Sequence, residues 1–108
     1  MMQFSEDKLD VITKKIVKQF EPERVILFGS QVTGEAKEES DVDLLVIKET
    51  KQSTREIARQ IDGAIFPRPF PIDLMVYTPS QLKQAQEEGD SFILEVLSKG
   101  KILYAKPK

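Results

Sequence analysis

Two acids stand in an otherwise apolar run: residues 41–47 read DVDLLVI. An acid inside an apolar strand is costly unless something pairs with it. Side chains alternate along a strand, so Asp41 and Asp43 share one face, ~6.5–7 Å apart at the backbone, while Val42 and Leu44 share the other. Like charges held side by side repel, and each raises the other's pKa unless a cation sits between them. A divalent ion relieves that cost, and two Mg²⁺ ions can be clamped in this way.

A second apolar run, Val25–Phe28, ends in Gly29-Ser30. Gly29 allows close backbone approach. Ser30 adds a hydroxyl, and the N–H groups after it can receive phosphate oxygens if a helix starts there. Asp73, flanked by apolar Ile72 and Leu74, is the internal acid of a third strand-like run. If that strand lies beside the second, the three carboxylates can converge. Metal on the strands and phosphate at the turn would suit in-line displacement at a phosphorus atom.

Two other phosphate or metal motifs can be tested on the same residues. Gly29 and Gly34 match the first half of a P-loop, but Glu35-Ala36 stand where Lys and Ser/Thr are required. Asp41-x-Asp43 could open an EF-hand loop, yet Val46 takes the turn-glycine position and Gln52 that of the bidentate Glu.

Composition narrows the chemistry further. The 108 residues include neither cysteine nor histidine. Disulfides, thiol nucleophiles, Ser-His triads and His-ligated metals are therefore excluded. Any metal must sit on oxygen ligands, which favours Mg²⁺, Mn²⁺ or Ca²⁺. A general base would be a carboxylate, a Lys, a Tyr or a metal-bound hydroxide. The net charge of -2 gives no basic excess, so direct nucleic-acid binding is not expected. The first residues, MMQFSEDKLD, carry no apolar signal region, and no apolar run approaches the ~20 residues needed to span a bilayer. A cytoplasmic protein without membrane contact, folded as one domain over 1–108, is the expectation.

In chain order, Ser5 can cap a helix running over about Glu6 to Phe20, with Leu9, Ile12, Ile16, Val17 and Phe20 on one face. Pro22 ends it. Arg24 to Phe28 is a buried strand, Gly34 to Ser40 a loop, and Asp41 to Ile47 the second strand. Ser53 to Glu56 reads as a capping box, with Ile57, Ala58, Ile61, Ala64 and Ile65 as the stripe of a crossover helix. Pro67–Pro71 forms a rigid lead-in to a third strand, Ile72 to Tyr77. Thr78-Pro79 starts a helix that stops near Gly89. Asp90 or Ser91 caps a last helix ending at Gly100, and Ile102 to Tyr104 is an edge strand. This order predicts an α/β fold with one mixed sheet flanked by helices. Arg68 and Lys48 read as surface charges, and Phe66, Phe70 and Tyr77 as core or rim rather than base-stacking platforms.

These residues carry a resemblance. Gly29-Ser30, ten intervening residues and Asp41-x-Asp43 before an apolar run resemble the signature of the DNA polymerase beta-like nucleotidyltransferases. Asp73 in PIDLMV resembles the third carboxylate of that superfamily. The FGS and SDVDLLV phrasing and the closing GKILY are similar to its minimal nucleotidyltransferases. The resemblance implies the small polymerase beta-like fold. It implies that Asp41 and Asp43 hold two Mg²⁺ ions, with Asp73 also on the catalytic one, so that all three acids are catalytic metal ligands, and that Gly29 and Ser30 hold the triphosphate of ATP or another nucleoside triphosphate. An acceptor hydroxyl would attack the α-phosphorus and release pyrophosphate. It further implies an antitoxin paired with a HEPN-domain toxin, able to adenylylate that toxin.

One position departs from the pattern. Many minimal members carry Arg directly after the Gly-Ser pair, and here Gln31 stands there. An amide does not replace a guanidinium on phosphate. Lower nucleotide affinity or rate is expected unless Arg68 or a partner residue substitutes. The alternative expectation is a non-catalytic module that neutralises its partner by contact. A transferase acting on a small molecule such as an aminoglycoside ranks last, because such enzymes usually add a domain for the acceptor.

Overall fold

Each break in the apolar periodicity marks an element boundary. The structure, a computed structural model, describes residues 6–33 and 41–107. The predicted Ser5 cap and the Gly34–Ser40 loop lie outside the described residues. Helix α1 (Glu6–Phe20) buries Leu9, Ile12 and Ile16 and leaves Lys14 in an exposed pair with Asp10 at 2.9 Å. Strand β1 (Arg24–Phe28) follows, then a single helical turn, α2 (Ser30–Thr33), and β2 (Val42–Ile47). Helix α3 (Thr54–Ala64) is capped by Ser53, whose Oγ accepts from the Glu56 N–H. Only half of the expected capping box forms, because the Glu56 carboxylate accepts from the Arg59 guanidinium at 2.8 and 3.0 Å instead. In α4 (Pro79–Glu87) the box is complete between Thr78 and Gln81. Strand β3 (Ile72–Tyr77) precedes it, and α5 (Ser91–Lys99), capped by Asp90, leads into β4 (Lys101–Ala105).

The strands form one mixed sheet in the order β3-β2-β1-β4. Strand β1 is antiparallel to both β2 and β4, while β2 and β3 are parallel and joined through α3. A parallel pair needs such a crossover. Side-chain alternation divides the core in two. Val25, Leu27, Val42, Leu44 and Val46 pack with α1 and α3. Ile26, Leu45 and Ile47 pack with Leu82 of α4 and with Ile93 and Val96 of α5. Strand β2 is therefore covered on both faces, which is why its apolar run is nearly continuous. The result is the α/β arrangement expected from the order of elements, one mixed sheet of four strands with helices on both faces.

Phe70 is buried and Tyr77 packs on the second core cluster, as expected, whereas Phe66 is 72% exposed. The α3 stripe ends at Ile65, so Phe66 falls beyond the face that packs.

The α5–β4 junction is unusually close. A Cβ placed on Gly100 would collide with the Val96 carbonyl oxygen, and would lie 2.8 Å from Ile26 Cγ2 and 3.1 Å from the Leu27 carbonyl oxygen. Two of these neighbours are backbone and cannot step aside cheaply. Gly100→Ala is expected to lower the unfolding free energy by about 1–3 kcal/mol, read from urea denaturation, as overpacking does in a filled site.

Candidate active site

Register brings the predicted acids together. In the parallel β2–β3 pair, Asp43 is the direct partner of Asp73. In the antiparallel β1–β2 pair, Phe28 is opposite Asp43, so Gly29 begins its turn beside that carboxylate. Gly29 has φ +82°, in the region that disfavours a side chain. A Cβ there would also collide with Asp43 Oδ2 and lie 3.2 Å from its Cγ. The glycine is thus required twice, for its backbone angle and for the space the carboxylate fills. Asp41 lies one residue before β2, not within it as expected, and is exposed. The ladder starts at Val42, whose N–H donates to the Pro71 carbonyl at 2.9 Å.

Asp43 is the acid under most pressure. Burial pushes its carboxyl above the ordinary carboxylate pKa, and the neighbouring charges of Asp73 and then Asp41 push it the same way. Asp73 is exposed on β3, at the sheet edge. Among the described residues no three acidic side chains close into a group that would hold a metal ion as placed. The two observations are compatible, because charges act over several ångströms whereas Mg²⁺–oxygen contacts need about 2.0–2.1 Å. The donor set is all oxygen, and the unfavourable charge it concentrates is of the kind a hard cation offsets.

The Gly29-Ser30 corner opens into a cleft of ≈ 330 Å³ whose other wall is α5. Its apolar side holds Phe28 and Phe92, edge to face with ring centroids 5.5 Å apart. Its polar side holds Glu95 and Lys99. The sequence reading did not place α5 at this corner. The available signal was Gly100, which ends the helix, but nothing local says that this end abuts β1.

Arg68, the residue of this chain that could substitute for a guanidinium at position 31, is otherwise engaged, and so is Lys48. Arg68 donates to Asp62 at 2.7 Å. Lys48 donates to the Phe20 carbonyl at 2.6 Å, and it follows the far end of β2, about 16 Å along the strand from Asp43 at the usual rise per residue.

The family profile described as Polymerase beta, Nucleotidyltransferase matches residues 10–108. This chain belongs to that nucleotidyltransferase family. In three dimensions it is similar to a provisionally assigned nucleotidyltransferase from Sulfolobus solfataricus, with TM-score 0.64, 16% identity and coverage of 93% of this chain and 79% of the other. It is also similar to a chain of a toxin–antitoxin complex with AMP-PNP, with TM-score 0.56, 23% identity and coverage of 90% and 73%. A chain of the MntA–HepT toxin–antitoxin complex gives TM-score 0.55, 20% identity and coverage of 94% and 74%. At these identities the likeness shows the fold. No curated protein matches the sequence. Among the described residues no helix is long and apolar enough to cross a membrane.

The raised pKa of Asp43 sets a sign for stability against pH. The folded chain keeps this proton to higher pH than the unfolded chain does. Stability therefore falls as pH climbs from about 4, the unfolded value, through the folded pKa, and the full cost is present above it. In EDTA, Asp43→Asn is expected to melt above the wild type at neutral pH, with the gap closing at the acid end. Added Mg²⁺ is expected to raise the wild-type midpoint and to leave that of Asp43→Asn nearly unchanged. A wild type that gains stability as pH rises from 4 to 7, relative to Asp43→Asn, would contradict the assignment.

Proposed function

We propose that this protein is a Mg²⁺-dependent nucleotidyltransferase that moves an adenylyl group from ATP to a protein hydroxyl, and that the acceptor is a HEPN-domain toxin it neutralises. The observation that carries the reading is the in-register Asp43–Asp73 pair set against the Gly29-Ser30 corner. Family membership supports nucleotidyl transfer in general. The toxin–antitoxin complexes of the same fold, one of them with AMP-PNP, support the partner and the nucleotide.

In this reading the backbone at Gly29 and the Ser30 hydroxyl bind the triphosphate. The acceptor oxygen attacks the α-phosphorus, the new P–O bond forms, and the bond to the β-phosphate oxygen breaks to release pyrophosphate. Asp73, exposed beside Asp43, faces the acceptor side and takes the hydroxyl proton. Asp43, held by Gly29, fixes the position of the nucleotide end of the site. Magnesium held by Asp41, Asp43 and Asp73 would supply positive charge to the triphosphate and the leaving pyrophosphate.

A second reading rests on Gln31, which lacks the guanidinium that many minimal members place on phosphate. The chain would then neutralise its partner by contact alone. The readings separate on labelled ATP, Mg²⁺ and the co-produced partner. Transfer of label to the partner, lost by about 10²-fold or more in Asp43→Asn, is expected for an enzyme whose charge-stabilising group has been removed. Neutralisation that survives in folded Asp41→Asn/Asp43→Asn, with no transfer by the wild type, selects the contact module.

A further inference from the structure

The site described so far is strongly anionic. Asp41, Asp43 and Asp73 gather at one end of the sheet, and the position after Ser30 holds a neutral amide. A triphosphate adds further negative charge, which a protein cation at the Gly-Ser corner would offset beside any bound magnesium. Arg68 and Lys48 are committed elsewhere. Among the described residues, the one basic side chain lining the cleft at the Gly29-Ser30 corner is Lys99.

The position of Lys99 is fixed by packing. It is the last residue of α5, and the next residue, Gly100, sits so close to Ile26 and Leu27 of β1 that a Cβ would not fit. Leu27 is two residues from Gly29. The end of α5 is therefore locked to the strand that delivers the phosphate corner. A lysine in the last turn of a helix also offsets the helix dipole, and Lys99 pairs with Glu95 one turn back at 3.4 Å. Both partners of that pair are about two-thirds exposed, with side-chain accessibility of 64% each. Exposed i,i+4 pairs are weak, screened by water and by the entropy of two long side chains, so the pair does not hold the ammonium against a phosphate. A charge-assisted bond to phosphate is the stronger contact.

We propose that Lys99 binds the triphosphate of the incoming nucleotide, taking the place that an arginine after the Gly-Ser pair would fill, and that it exchanges Glu95 for phosphate when the nucleotide arrives. This rests on the nucleotidyltransferase reading above. It assigns phosphate recognition to α5, on the wall of the cleft opposite the Gly-Ser corner.

The test is isothermal titration of the intact chain with ATP, ADP and AMP in magnesium buffer. The wild type is expected to bind ATP more tightly than AMP. Lys99→Met is expected to weaken ATP by about tenfold, the worth of one hydrogen bond to a charged group, and to leave AMP unchanged. Lys99→Arg keeps the preference for ATP. Glu95→Gln, which frees the ammonium, tightens ATP by about twofold, the worth of an exposed pair. A lysine serving only the helix end would shift the melting temperature of Lys99→Met without separating ATP from AMP. Unchanged ATP affinity in folded Lys99→Met, or an equal loss for ATP and AMP, overturns the assignment while the enzyme reading stands. A wild type that binds none of the three nucleotides overturns that reading and this one together.

Discussion

The contact on which the site depends is that of the Asp43 carboxylate with the backbone of Gly29. A half-buried acid on an otherwise apolar strand is unfavourable by itself, and two further acids nearby make it more so. It is tolerated because the surrounding scaffold leaves it nowhere else to go. Strand β2 is covered on both faces, Val42 and Leu44 on either side of Asp43 are fully buried, and a one-residue slip would move every apolar side chain to the wrong face. The core thus fixes the register, and the register fixes the acid. Gly29 completes the arrangement by presenting no side chain where the carboxylate lies.

That constraint has a functional direction. In the proposed reading, positive charge entering the site removes the cost of the concentrated negative charge, so the free energy lost in gathering the carboxylates would return as affinity for a cation. The same end of the sheet carries the turn after β1, with Gly29 and Ser30, and the end of α5, which brings Lys99. The corner and Lys99 line one cleft, and the Asp43 carboxylate lies against Gly29 at its edge. The parallel β2–β3 pair and its α3 crossover matter for this reason: they bring Asp73 level with Asp43 rather than at the opposite end of a hairpin.

Much of this was legible in the chain itself. The stripe over Leu9–Ile16, the breaks at Pro22 and Gly89, the Thr78 box and the strand Ile72–Tyr77 are local signals, and the elements form where those signals lie. The Gly-Ser corner and the spaced acids pointed to phosphate chemistry because few other uses suit acids within an apolar run. Smaller readings shifted where side chains had a choice of partner. Glu56 turned to Arg59 rather than completing its box, and Asp41 fell just outside the ladder that begins at Val42.

The sequence by itself determined the elements, their apolar faces, the oxygen-only donor set and the pair of acids two residues apart, because periodicity, cap chemistry and residue type act over a few positions. Tertiary structure alone decided which acids become neighbours and which helix walls the cleft. The pairing of Asp43 with Asp73 depends on strand order, and the placing of Lys99 and Gly29 on the walls of one cleft depends on the packing of Gly100 against β1. Such contacts join residues thirty or seventy positions apart, where no local preference reaches and only burial of the shared core selects the partner.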